Sequence, residues 1–214
     1  MVVKSGALLL DQVSKLPKAF DETRGRESLS DLRAALAGTK WQELAATDAF
    51  GTLAISLTGN SPFLARTCLA YPELLPEIAA TAPGMAFDAA LKQLEADAAA
   101  AGTMADLMTC VRRAKSELAL RAAAADIAGL WSLEEVTGNL TRFADAVLEC
   151  GFTWLLRQAA EKGDIVGGPI ETSQSGLVVL AMGKYGSGEL NYSSDIDIVV
   201  FYEPGTLTLK DGLD

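Results

Sequence analysis

The stretch that decides the fold reads MGKYGSGELNYSSDIDIVV and covers residues 182 to 200 of a 214-residue chain. It joins two runs with the character of β-strands, Leu177 to Met182 and Ile196 to Tyr202. Both runs are rich in branched apolar residues, and glycines separate them, as they do in strands linked by a turn. We therefore predict two strands with a glycine-rich turn between them.

Two aspartates, Asp195 and Asp197, stand beside the second run with one residue between them. Side chains alternate along an extended backbone, so both carboxylates are predicted on one face, and Ile196 and Ile198 on the other face toward a core. Two carboxylates this close repel each other unless a cation lies between them, and their hard oxygens suit Mg²⁺ or Mn²⁺. The alternative is the solvent-facing side of an amphipathic strand. Spacing alone leaves both interpretations open.

Three glycines, Gly183, Gly186 and Gly188, follow the first run in close succession. Glycines let the backbone turn tightly and approach phosphate oxygens, and the start of a short helix offers free amide donors to an anion. The alternative is a simple turn between strands. The combination of strand, glycine turn and Asp-x-Asp strand is more specific than any of its parts, and it predicts adjacent phosphate and metal sites.

Upstream of this segment, residues 8 to about 162 show the apolar spacings of successive amphipathic helices. Predicted helix boundaries lie at Ser28 to Asp31, Gly38, Ser61 with Pro62, Pro72, Pro76, and Ser132 with Glu135. Longer helices are predicted over residues 87 to 101, 104 to 130 and 132 to 160. Residues 163 to 175 lose the helical period, which favours a loop with room for one short strand.

The predicted fold class is therefore α+β and predominantly α. A helical bundle is expected over residues 1–165. A second domain is expected over residues 176–214, with the boundary between the two in the loop.

Charge and composition exclude several functions. The formal net charge is −10, from 28 acidic and 18 basic residues, which argues against broad electrostatic capture of nucleic acid. The chain has no histidine, so histidine-based acid and base catalysis, Ser-His-Asp triads and most zinc sites are excluded. Any catalysis must depend on carboxylates, metal ions, lysines or hydroxyls.

The cysteines predict neither a disulfide framework nor a metal site. Cys68, Cys110 and Cys150 are far apart, odd in number and set in apolar helical surroundings. We expect buried, inert thiols.

The amino-terminal stretch MVVKSGALLL, residues 1 to 10, has a short apolar run that Asp11 ends. We expect it to be the first helix of a cytoplasmic protein rather than a signal peptide. No stretch approaches the roughly 20 apolar residues that a membrane-spanning helix needs. No membrane partner is expected.

The spacing of Gly183, Gly188, Asp195 and Asp197 resembles the nucleotidyltransferase superfamily that includes DNA polymerase β. Its signature is a Gly-Ser turn, a further glycine and a Ser-Asp-x-Asp strand, and here Lys184 occupies the usual serine position. The longer string GKYGSGELNYSSDIDIVVFY resembles more closely the bifunctional glutamine synthetase adenylyltransferase/adenylyl-removing enzymes. Its Glu-Leu-Asn form is similar to their amino-terminal, adenylyl-removing copy. The implied fold is a helical bundle followed by the first strands of a polymerase β-like domain.

This resemblance implies a two-metal reaction in which Asp195 and Asp197 hold Mg²⁺ ions. Gly183, Lys184 and Ser187 are the implied phosphate contacts, and Ser194 would orient the carboxylate strand. Glu189 reads equally well as a functional residue or as a solvated one.

The resemblance also implies substrates and partners. Inorganic phosphate would attack the AMP-tyrosyl linkage of glutamine synthetase and give ADP, whereas ATP would donate AMP in the family's other domain. Glutamine synthetase is the implied protein substrate, the nitrogen-signalling protein PII the implied regulator, and nucleic acid is not an expected partner.

A third carboxylate from a later strand completes such sites in the superfamily. Asp211 and Asp214 are present, yet residues 210 to 213 read as a turn without the apolar flanks of a core strand. We therefore expect an amino-terminal piece of a longer enzyme that is inactive alone. The alternative from another class is a helical interaction domain whose last strands have only a structural role.

Overall fold

Helices dominate the chain in the computed structural model, which describes residues 8–210. Short 3-10 helices span Leu9–Lys15 and Thr172–Gln174. The α-helices are α1 Glu22–Ala35, α2 Gln42–Ala46, α3 Asp48–Asn60, α4 Pro62–Ala70, α5 Leu74–Ala79, α6 Pro83–Ala100, α7 Met104–Ile127, α8 Leu133–Glu161 and α9 Gly183–Gly186. The strands are β1 Leu177–Ala181 and β2 Ile198–Tyr202. The predicted class, α+β and predominantly α, is confirmed.

Two of the predicted helix starts are confirmed, and each has a side-chain cap. The Ser61 hydroxyl accepts a hydrogen bond from the Leu64 amide at 3.3 Å, and Pro62 opens α4 where no amide donor is needed. Ser132 and Glu135 form the predicted capping box before α8. The Glu135 amide donates to the Ser132 hydroxyl at 3.2 Å, and the Ser132 amide donates to the Glu135 carboxylate at 2.7 Å.

The predicted start at Ser28 to Asp31 is wrong. Helix α1 begins about two turns earlier, after Asp21, whose carboxylate accepts a hydrogen bond from the Arg24 amide at 2.9 Å. Ser28 is buried in the middle of this helix, because its small side chain fits the packed face. Pro76 also lies inside the first turn of α5 rather than at a corner, since a first-turn proline leaves no hydrogen bond broken.

The described residues form two compact units. The first unit comprises residues 8–90 and 114–136. Helices α1 and α3 pack against each other at its centre, and its core contains fully buried side chains from several helices. These include Leu32, Leu36, Phe50, Leu53, Leu57, Leu75, Ile78 and Leu120.

Arg121 is a buried cation within the first unit. Its Nη2 atom lies 2.8 Å from the Glu77 carboxylate on α5 and 2.7 Å from the Glu117 carboxylate one turn away on α7. The Arg121 side chain is only 4% exposed, and its Nη1 atom is buried without a hydrogen-bond partner. A buried guanidinium needs its acidic partners, because transferring its charge out of water costs roughly several kcal/mol, which the ion pairs must offset.

The second unit comprises residues 91–113 and 137–210 and contains the sheet. The Trp154 indole on α8 donates to the Ala101 carbonyl at 2.8 Å, and Arg157 donates to the carbonyls of Ala99 and Ala101. These bonds satisfy acceptors at the end of α6, where a cation is also favoured by the helix dipole. Helix α8 is thus fixed firmly to the end of α6. The division into domains at residues 165 and 176 stays a prediction.

Strands β1 and β2 pair antiparallel, with Leu177 opposite Tyr202 and Ala181 opposite Ile198. The second strand is shorter than predicted, because β1 ends at Ala181 and residues 195 to 197 lie outside the regular strand pairing. The expectation that Ile196 and Ile198 face a core is also wrong: Ile196 is 37% exposed and Ile198 is half-buried. These residues are at least partly exposed because the described sheet has only two strands, and a sheet of two strands buries little apolar surface.

The loop before β1 holds one isolated β-bridge, between Ile165 and Leu209, in place of the short strand that the sequence allowed. The predicted amino-terminal helix falls largely outside the described residues, which begin with the 3-10 helix. A turn is predicted at residues 210 to 213. Of these residues the structure describes only Lys210, and the other three lie outside the described range. Within residues 8–210, no helix combines the length and apolar character needed to cross a bilayer.

The cysteines are unpaired, and they differ in burial. Cys68 is completely buried, and burial raises the pKa of its thiol to about 12, so the reactive thiolate is suppressed. Cys110 and Cys150 are only half-buried, and both pack against a small buried cluster that contains Leu107 and Trp154. The prediction of buried thiols is therefore right for Cys68 and wrong for the other two.

Candidate active site

The glycine turn between the strands forms α9, a single helical turn. The Gly186 amide donates to the Met182 carbonyl at 3.0 Å, and the Glu189 amide donates to the Lys184 carbonyl at 2.8 Å. A Cβ atom on Gly186 would collide with the Ala181 carbonyl group, lying 3.0 Å from its carbon. Glycine is therefore required where the turn packs against the end of β1.

Gly183 connects β1 to α9 and lies beside one of the aspartates. Its φ of 55° belongs to the left-handed region that glycine adopts without strain. The position of a Cβ atom there would be 3.8 Å from the Asp197 carboxylate. On the other side, the Met182 amide donates to the Asp197 carbonyl at 2.9 Å, which extends the pairing of the strands by one bond. The turn and Asp197 are thus fixed to each other.

A polar loop of residues 191 to 194 precedes the aspartates. The Asn191 side-chain oxygen accepts three hydrogen bonds: from the Ser193 amide at 3.0 Å, the Ser193 hydroxyl at 3.1 Å and the Ser194 hydroxyl at 2.9 Å. The Ser194 amide also donates to the Asn191 carbonyl at 3.2 Å. Asn191 therefore holds the loop in one conformation immediately before Asp195.

These elements surround an open cavity of about 340 Å³. Its lining contains four of the residues that the sequence singled out, and it adds three others. The lining residues are Met182, Lys184, Asn191, Ser193, Ser194, Asp195 and Asp197. The cavity has one cationic and two anionic side chains among hydroxyl and amide groups, a mixture suited to a charged ligand held with a cation.

The two remaining candidates are placed differently. Gly183 does not line the cavity but adjoins Asp197, as described above. The Ser187 hydroxyl donates to the Lys184 carbonyl at 3.2 Å and to the Glu189 carboxylate at 3.4 Å, and Ser187 is not among the lining residues. A helix of four residues also has almost no dipole, so anion binding would depend on side chains such as Lys184.

Asn191 and Ser193 are not predicted as site residues from the sequence. Asn191 stands there only as part of the Glu-Leu-Asn string, and its place at the cavity depends on the compact turn that its own side chain closes. An asparagine two residues before a serine is a known turn signal and could have indicated it.

The carboxylate oxygens at the cavity are suitable ligands for a divalent cation such as Mg²⁺. Mg²⁺ commonly takes one or two protein carboxylates and completes its coordination with water and substrate phosphate. Asp195 and Asp197 supply two such groups, and both are exposed to solvent. Within residues 8–210, no group of three or more acidic, histidine or cysteine side chains is placed to hold a metal.

Comparison with known proteins first identifies the class, since the curated relatives are adenylyltransferases. A relative from Rhodopseudomonas palustris (strain BisB5), named bifunctional glutamine synthetase adenylyltransferase/adenylyl-removing enzyme, is 38% identical over 90% of this chain and 20% of its own length. Proteins of the same name from Caulobacter vibrioides and Rhizobium meliloti (strain 1021) are 40% identical over 77% and 43% identical over 67% of this chain. They are matched over 17% and 15% of their own lengths.

The particular family follows from a family model. The model described as glutamate-ammonia ligase adenylyltransferase matches residues 52–214, which is most of the chain. The chain therefore belongs to the glutamate-ammonia ligase adenylyltransferase family. It spans about a fifth of the length of curated relatives that it matches.

Proposed function

We propose that residues 182 to 200 form the adenylyl-removing nucleotidyltransferase site of an enzyme that regulates glutamine synthetase. The observation that carries this proposal is the gathering of Lys184, Ser194, Asp195 and Asp197 around one cavity. Membership of the family, and the adenylyl-removing activity named for its relatives, support it.

In the proposed reaction, an oxygen of inorganic phosphate forms a bond to the phosphorus of AMP attached to a tyrosine of glutamine synthetase. The bond between that phosphorus and the tyrosyl oxygen breaks, and ADP leaves. The tyrosyl oxygen takes up the proton that the phosphate loses, so that atoms and charges balance. Such transfers depend mainly on positioning and on electrostatic stabilisation, which a protein can supply without forming a covalent intermediate.

Asp195 and Asp197 would hold Mg²⁺ in this site. When bound, Mg²⁺ neutralises phosphoryl charge and favours the in-line displacement. Lys184 contributes a mobile point charge that binds phosphate oxygens. Asn191 and Ser194 fix the backbone that presents Asp195, and the left-handed Gly183 leaves room beside Asp197.

The remaining partners are proposed with the reaction. Glutamine synthetase is the protein substrate, ATP is the AMP donor in the separate adenylylation reaction, which releases pyrophosphate, and PII regulates the balance between the two reactions. The reaction is proposed to take place in the cytoplasm. A third carboxylate, supplied from outside residues 8–210, would complete the site.

Binding of Mn²⁺ to the purified chain, followed by water-proton relaxation, tests the proposed site. We expect wild-type chain to bind Mn²⁺, and the double variant Asp195→Ala/Asp197→Ala to lose that binding, because its two carboxylates supply the protein ligands. Asp31→Ala is the matched control, since it removes one exposed aspartate of α1 in the other unit. Wild-type binding no tighter than that of the double variant contradicts the proposal.

A further inference from the structure

A hydrogen bond joins α9 to the long helix α8 within the second unit. The Tyr185 hydroxyl donates to the Asp145 carboxylate at 2.6 Å, across 40 residues of sequence. This distance is typical of a hydroxyl bound to a charged carboxylate, which is stronger than a bond between neutral groups. Tyr185 is only 5% exposed, so its ring is anchored by packing as well as by this bond.

Apart from its contact with the end of β1 at Gly186, helix α9 has few interactions that hold its position. It contains four residues, too few to be stable alone, and it has no side-chain hydrogen bond at its amino-terminal cap. Tyr185 is its single buried residue among the four. The neighbouring Lys184 is exposed and lines the candidate active-site cavity. The direction in which Lys184 projects therefore depends on how Tyr185 is held.

The other end of the bond lies on a firm support. Asp145 occupies the middle of the 29-residue helix α8. The same helix carries Trp154 and Arg157, which bind the carbonyl groups at the end of α6. A displacement of α9 would have to break the bond to Asp145 or move this whole helix.

The hydroxyl of Tyr185 remains a donor over the working range of pH. Burial, then the hydrogen bond and the negative charge of Asp145, raise the pKa of Tyr185 above its usual value. The phenol is therefore protonated at neutral pH and can donate this hydrogen bond.

We infer that Tyr185 is a positioning residue: its hydroxyl, held by Asp145, fixes the turn that directs Lys184 toward phosphate. This inference rests on the proposed function, since it assigns to Lys184 the binding of phosphate in that reaction. Tyr185 itself does not line the cavity with Lys184 and acts through it. The sequence around Tyr185 does not predict this role, because its partner Asp145 lies 40 residues upstream on α8.

Phosphate-dependent formation of ADP from adenylylated glutamine synthetase tests the inference, using the protein encoded by the complete reading frame. We expect Tyr185→Phe to raise the KM for phosphate about tenfold, because the loosened turn binds phosphate less well. In a Lys184→Ala background, the same substitution should change that KM by less than about twofold, since coupled residues are not additive. Tyr71→Phe, in the other unit, is the matched control and should leave the KM unchanged.

The outcomes separate the inference from the proposed function. A wild-type KM in Tyr185→Phe overturns the inference, as does an equal effect with and without Lys184, which would mean a merely structural role. If Tyr185→Phe does not fold, Asp145→Asn replaces it. That variant keeps an acceptor oxygen without the charge, and it should give a KM between those of wild type and Lys184→Ala. An unchanged KM in Asp145→Asn overturns the inference. ADP formation that is insensitive to Asp195→Asn overturns the proposed function and the inference with it.

Discussion

Gly186 has no room for a side chain, because its Cα faces the carbonyl group of Ala181 at the end of β1. We expect Gly186→Ala to displace α9 and to lower the free energy of unfolding by about 1–3 kcal/mol, as overpacking does elsewhere. Urea unfolding at equilibrium measures this loss. The matched control is Gly138→Ala in α8, where a Cβ atom meets nothing within 4 Å. That substitution should stabilise the protein by about 0.5–1 kcal/mol. Similar effects at the two glycines contradict the close packing of the turn.

The candidate site residues could be predicted to different degrees. The sequence singles out Asp195, Asp197, Lys184 and Ser194, and the structure places all four at one cavity, because they lie within one short segment. The sequence does not single out Asn191 or Tyr185. The place of Asn191 depends on three hydrogen bonds within a folded turn, and the role proposed for Tyr185 depends on an aspartate 40 residues away. Ser187 comes from the same segment, but its hydroxyl is bound to its own turn.

The buried Arg121 on α7 joins this helix to α5 through an ion pair with Glu77, and it also pairs with Glu117 on its own helix. The stability of the protein should therefore depend on both carboxylates. Glu117 is 24% exposed and Glu77 is 54% exposed, so Glu117 is the better shielded partner. We expect Glu117→Gln to lower the free energy of unfolding by about 3 kcal/mol, because it leaves a buried guanidinium with one exposed carboxylate. Equilibrium unfolding in urea measures the change.

The control for this prediction is an exposed ion pair of the same type. Glu22 and Arg26 lie one turn apart on α1, with side chains 65% and 68% exposed. Glu22→Gln should change stability by no more than about 0.5 kcal/mol, because water screens such pairs. If both substitutions cost the same, burial does not determine the strength of the Arg121 cluster.

The ends of helices were predicted correctly where a neighbouring side chain caps the helix. Ser61 and Ser132 cap helices with their own hydroxyls, so their prediction needed no knowledge of the fold. Ser28 has the same local character, yet it is buried within α1, since tertiary packing decides its environment. The start of β2 was predicted too early for a related reason: strand length depends on the partner strand, and β1 ends at Ala181.

The whole chain belongs to a family whose curated relatives are about five times its length, and the proposed activity is therefore tested in the complete protein. Its relatives are named for two opposite activities, transfer of AMP and its removal. We propose that residues 182 to 200 carry out the removal. A substitution in this segment should thus separate the two activities.

The most direct measurement compares both activities in the protein from the complete reading frame, before and after Asp195→Asn. We predict that phosphate-dependent formation of ADP from adenylylated glutamine synthetase falls at least roughly 10²-fold, because charge stabilisation at the phosphoryl group is lost. Transfer of AMP from ATP, and the melting temperature, should stay close to wild type. Formation of ADP at the wild-type rate by Asp195→Asn would contradict the assignment of residues 182 to 200 to removal.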